Sequence, residues 1–201
     1  MTSAELPAEW EEETVADAGG DMTLRLPSQP SPRVLDAMRA AADEATRVGG
    51  HLLPSAATHA LGAACARECA HAYDAFVKTT NAGGIGEKWT IQALFDVMTI
   101  TRVFVGAEDR GGGGGGGGGA QYAWATRAAS EARAIAASAT DALSSTLDPI
   151  DWATYESFLT RNASSWRRRV SALLGLFARG VGGGGGRDDS SIETARVGSG
   201  G

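Results

Sequence analysis

The sequence is poor in the residues that carry chemistry. It has two cysteines and three histidines in 201 residues. Cys65 and Cys69 stand four residues apart on an expected helix, a spacing badly suited to a disulfide. No cysteine-rich framework exists, which excludes a small disulfide-stapled fold and fits a reducing compartment. The start lacks a basic region followed by an apolar core, so no secretory signal is expected. No apolar run reaches the ~20 residues of a membrane span. The longest near the C-terminus, Val170–Val181, is broken by Arg179. Valine, isoleucine and threonine are sparse beside alanine, which favours helix over sheet. An excess of basic charge is absent too, which argues against a nucleic-acid partner.

What is present is unevenly placed. The net charge is −6. Residues 1–30 hold Glu5, Glu9, Glu11, Glu12, Glu13, Asp17 and Asp21 against Arg25 alone, so the acidic excess lies there. With Pro7, Pro27 and Pro30 and no clear period, 1–30 reads as a disordered acidic tail. Residues 31–180 read as an all-α domain, an antiparallel helical rod or bundle. Its Gly-rich loop at 111–119 reads as a low-complexity linker, which costs little because closure entropy grows with the logarithm of length. Residues 181–201 read as a disordered Gly-rich tail.

Caps and periodicity divide the domain. Ser31-Pro32 opens a first helix and Gly49-Gly50 closes it, with Val34, Met38, Ala41, Ala42 and Ala45 on one face. A second runs from Pro54 to about Thr79, its apolar face set by Leu61, Ala64, Cys65, Ala72, Tyr73, Phe76 and Val77. A third, from about Glu87 to Val105, is apolar around most of its circumference, the pattern of a helix buried in a bundle. A fourth, from Gln121 to about Thr146, is rich in alanine and serine, hence helical by propensity but weakly anchored. The last, Asp148–Phe177, is the clearest amphipath. Asp148 is a good N-cap, Pro149 suits the first helical position, and Asp151 places a carboxylate in the first turn. Trp152, Tyr155, Leu159, Ala163, Trp166, Val170, Leu173 and Phe177 then recur at steps of three and four.

No constellation rises to a catalytic or metal site. Residues 81–88 are glycine-rich and end in Lys88, but the spacing is wrong for a phosphate loop. Cys65 and Cys69 share a helix face, His71 points about 200° from Cys69, and only His59 is left as a further ligand. Buried thiols are the plainer reading. Ser144, Ser145, Ser164 and Ser165 sit in no nucleophile pattern. No enzyme, cofactor, metal or small-molecule substrate is expected. Arg161, Arg167, Arg168 and Arg169 give the last helix a basic side, and an alternative function is a basic-faced helical module on an anionic membrane surface.

Two stretches resemble a known family. One is WTIQALFDV at 89–97, above all Gln92, Ala93, Leu94, Phe95 and Asp96. The other is LDPIDWATYE at 147–156, continuing to VSALLGLF at 170–177. In this order they resemble the C-terminal part of the subunit 1 family of the conserved oligomeric Golgi complex. The resemblance implies a helical-rod vesicle-tethering protein, peripheral on the cytosolic face of the Golgi membrane. It implies intra-Golgi retrograde transport by protein contact, with other subunits of the tethering complex as partners. Trp89, Leu94, Phe95, Trp152, Tyr155, Leu159, Trp166, Leu173 and Phe177 are the expected core or interface residues. Buried together, they would make a self-sufficient bundle; exposed as one stripe, an interface.

Overall fold

The computed structural model describes residues 10–17, 20–80, 86–106, 123–170, 174 and 177. The two glycine runs and Leu173 lie outside the described residues. Among the described residues five α-helices carry the fold: α1 (Pro32–Arg47), α2 (Ser55–Thr79), α3 (Glu87–Phe104), α4 (Ala123–Ser144) and α5 (Pro149–Val170). The caps act as the sequence suggests. Pro32 starts α1 behind Ser31, and α1 stops where Gly49 takes φ of 144°, a backbone conformation L side chains rarely adopt. Asp148 Oδ1 accepts the Ile150 N–H at 2.8 Å and caps α5.

Helix α3 is the axis of the bundle. Ile91, Leu94, Phe95, Ile100, Val103 and Phe104 are all buried, on every side of the helix. Full burial of a leucine or phenylalanine stabilises by roughly 1.5–3 kcal/mol, so this helix alone supplies a large share of the core. Contacts fix the directions around it. Phe76, late in α2, lies 4.6 Å from Trp89 at the start of α3, measured between ring centroids. Gly62, earlier in α2, faces Phe104 at the end of α3, so these helices run in opposite senses. Arg133 of α4 reaches the Val105 carbonyl at 3.1 Å while Thr146, beyond the end of α4, meets Thr90, so α4 also opposes α3. Tyr155 meets Glu87, and Phe177 packs edge-on to Phe104 at 5.0 Å, so α5 runs with α3.

Helix α4 is not weakly anchored. It makes its most extensive packing against α2. Ala125, Ala132, Ala136 and Ala139 of α4 are buried, as are Ala56, Ala63, Ala66 and Ala70 of α2. Small side chains let two helix backbones approach closely, so alanine here is a packing surface as well as a helix former. Of the face expected for α2, Tyr73 is buried and Leu61, Cys65 and Val77 pack half-buried against the core, while Ala72 is exposed. Gly62 marks another close approach, since a Cβ there would sit 3.0 Å from the Phe104 carbonyl oxygen.

Segment 1–30 is not wholly a disordered tail. β1 (Trp10–Asp17) and β2 (Gly20–Pro27) pair antiparallel, from Trp10 opposite Pro27 to Asp17 opposite Gly20. β2 is held because Leu26 is 1% exposed and Leu24 packs at the core margin. Pro27, Ser28, Pro30 and Ser31 are buried as well. The chain between hairpin and α1 is therefore part of the folded body.

Candidate functional site

The residues of the first motif divide into an apolar group and a polar pair. Ala93, Leu94 and Phe95 are core, the last two fully buried. Gln92 and Asp96, four residues apart, share the opposite side of α3 and are each 1% exposed. Asp96 Oδ1 accepts the Ser31 N–H at 2.8 Å and a Gln92 side-chain N–H at 3.0 Å. Asp96 Oδ2 accepts the Tyr73 hydroxyl at 2.6 Å. Gln92 also donates to the Gln29 carbonyl at 3.1 Å. One carboxylate thus ties the cap of α1, the end of α2 and the middle of α3 together.

Burial pushes the Asp96 carboxyl above its usual range, only partly opposed by the hydrogen bonds from Ser31, Tyr73 and Gln92. The Tyr73 hydroxyl is pushed up as well, by burial first and by the Asp96 charge second. These hydrogen bonds hold the 28–31 segment in place. From α5, the Arg169 guanidinium donates to the Ser28 carbonyl at 3.2 Å and Asn162 donates to the Pro27 carbonyl at 3.4 Å.

The second motif starts α5 and docks it on α3. Trp152 and Tyr155 are half-buried against the core, and the Tyr155 hydroxyl donates to Glu87 at 3.0 Å. Glu87 and burial, burial first, push the Tyr155 phenol up to about 12. Leu159, Trp166 and Phe177 are buried, and Trp89 packs between Tyr73 and Phe76. The described apolar residues singled out in the sequence therefore pack into the bundle, buried or half-buried, and make no exposed stripe among the described residues. Among the described residues the large exposed apolar side chains are Val48 and Leu52 after α1, Trp124 in α4 and Ile150 at the start of α5.

The four arginines of α5 do not make one patch. Arg161 lies over the Phe158 ring at 5.1 Å, and the exposed Arg169 donates to the Ser28 carbonyl. Arg161 and Arg168 share a side, while Arg167 and Arg169 lie about 100° to either side of Arg168. Cys65 and Cys69 are half-buried free thiols that burial pushes up, Cys69 to about 11. A thiol so held is a poor nucleophile. Among the described residues no group of three or more His, Cys, Asp or Glu is placed to hold a metal ion. No described helix is long and apolar enough to cross a membrane.

One exposed feature of the described residues is a cleft. Helices α4 and α5 both pack on α3 but hardly touch each other. Between them opens a cavity of about 720 Å³ floored by Val97, Met98 and Thr101. Nothing in the sequence pattern separates its lining from ordinary solvent-facing residues, because alanine, serine and threonine carry no periodic signal of their own.

No family model matches the chain, and no solved structure matches it. Among curated proteins it is 26% identical to conserved oligomeric Golgi complex subunit 1 of Mus musculus over 175 residues, 84% of this chain and 16% of the mouse protein. It is 26% identical to the Homo sapiens subunit over 170 residues, 80% of this chain and again 16% of the relative. The chain thus spans about a sixth of the length of the relatives it matches. The resemblance read from the two motifs extends over most of the chain, which is similar to a part of subunit 1 of the conserved oligomeric Golgi complex.

Proposed function

We propose that the chain is part of a non-enzymatic vesicle-tethering subunit that acts by helical protein–protein contact. Its place is peripheral, on the cytosolic face of the Golgi membrane, and its role is in intra-Golgi retrograde transport. Its partners are other subunits of a Golgi tethering complex. The observation that carries this reading is the similarity to subunit 1 over 84% of the chain. Both motifs behind the resemblance have a use in the fold, one as the buried node of α3 and the other as the capped start of α5. A cross-braced bundle of helices suits a rod-like scaffold, whose work is to hold surfaces at fixed positions. Depletion of the full-length gene product tests the role. Golgi glycosylation enzymes leave their cisternae if the reading is right, and an undisturbed enzyme distribution refutes it.

A further inference from the structure

The cleft between α4 and α5 has small walls at helical spacing. Ala153, Ser157, Thr160 and Ser164 line it from α5, at steps of four, three and four. Ala137 and Thr140 face them from α4. From Ala153 to Ser164 the wall is about 16 Å long at ~1.5 Å per residue, three helical turns. The hydroxyls of Thr101, Thr140 and Ser164 already donate to carbonyls four residues back in their own helices. The walls therefore offer close approach rather than hydrogen-bond donors.

The donors in the cleft are cationic. Arg102 and Arg133 both line it. Among the described residues Arg102 donates to the Met98 carbonyl at 3.3 Å and Arg133 to the Val105 carbonyl at 3.1 Å. Neither has a carboxylate partner among the described residues. Arg133 Nε is buried with no hydrogen-bond partner. A guanidinium carries five N–H donors, so each arginine has more to offer a carboxylate in the cleft than the one carbonyl it meets. The Arg102 guanidinium is pushed down by burial first and then by the nearby Arg167 charge, in keeping with uncompensated positive charge. Glu156 is the one acid among the described lining residues, and the ion pairs among the described residues do not include it.

We propose that this cleft is the docking groove for an acidic helix of a partner protein, seated between α4 and α5 on α3. Its larger side chains meet the small walls, and one of its carboxylates meets Arg102 and Arg133. A free anion would use the guanidinium groups and leave three turns of small-residue wall unfilled. A helix uses both. That the partner is a Golgi tethering subunit rests on the function proposed above; the cleft and its chemistry do not.

Photo-crosslinking in cells tests this. A benzophenone amino acid is placed at Ser157 of the full-length protein, with a control at Arg39 on the outer side of α1. Crosslinked peptides are then sequenced by mass spectrometry. The Ser157 probe joins one partner segment with helical periodicity and an Asp or Glu, and the Arg39 probe does not. Replacing Arg102→Gln and Arg133→Gln lowers that yield at least tenfold. The substitution Ser157→Trp, at an exposed position that need not disturb folding, abolishes capture of the same partner by a tagged chain. No crosslink, a crosslink to a segment without helical pattern or acid, or capture unchanged by Ser157→Trp overturns the proposal. If tethering subunits are still captured in that last case, the proposed function stands without the groove. If the crosslinked helix belongs to an unrelated protein, the groove stands and the proposed function fails.

Discussion

Removing the Asp96 carboxylate is the sharpest perturbation of the fold. In Asp96→Ala the Ser31 N–H and the Tyr73 hydroxyl lose their acceptors inside the bundle. Gln92 keeps the Gln29 carbonyl, so it is only partly affected. Each orphaned buried donor costs about 1–3 kcal/mol. Relief from burying a carboxylate offsets part of this, since burial is the leading cause acting on Asp96. A net loss of about 3 kcal/mol follows, a large share of the ~5–15 kcal/mol that holds a domain together. It would lower Tm by roughly 6–12 °C in a domain of this size. Thermal and urea unfolding followed by circular dichroism measure it. The pH dependence has a definite sign. The folded carboxyl lies above its unfolded value of about 3.9, so the stability linked to its proton is fully present below that value. It is lost as pH rises through the raised folded value. Wild type therefore gains on Asp96→Asn as pH falls from neutrality. A loss within about 0.5 kcal/mol for Asp96→Ala, or a difference from Asp96→Asn flat with pH, would refute the reasoning.

Three further outcomes follow from the packing and charges. Gly62→Val destabilises by about 1–3 kcal/mol, because its Cβ already meets the Phe104 carbonyl at 3.0 Å and the Phe177 ring at 3.2 Å. Gly62→Ala is milder, the gain in helix propensity opposing the crowding, and the urea midpoints of the two variants rank them. Tyr155 titrates at about 12, so the stability it adds is present below about 10 and fades as pH rises through 12. Ultraviolet titration of wild type against Tyr155→Phe isolates that phase, which vanishes in the variant. Because the α5 arginines are spread around the helix, Arg161→Glu with Arg168→Glu leaves sedimentation with anionic vesicles unchanged. A salt-sensitive loss in that assay would restore the membrane-surface alternative.

Most of the helices are legible in the sequence because caps and period agree at each one. Ser31-Pro32, Gly49-Gly50 and Asp148-Pro149 mark true ends, and the all-round apolar pattern of 87–105 finds the axis of the bundle. Two things escape. The hairpin is masked by acidic composition, although Met22, Leu24 and Leu26 alternate with Thr23 and Arg25 beside Pro27, a short period-two signal. The alanine faces of α2 and α4 escape because hydrophobic pattern ranks large residues first, while close helix packing rewards small ones. The polar node is half legible. Gln92 and Asp96, four apart inside an otherwise apolar helix, announce a buried pair. Their partners do not follow from sequence, since Ser31 lies 65 residues from Asp96. The cleft has no sequence signature, because it is made by two helices failing to meet.

The central claim is that the chain works by association within a Golgi tethering complex. Affinity capture of the tagged full-length gene product from cells, with quantitative mass spectrometry, tests it most directly. Other subunits of that complex co-purify in comparable amount if the claim holds. Recovery of the protein with no Golgi tethering subunit contradicts it.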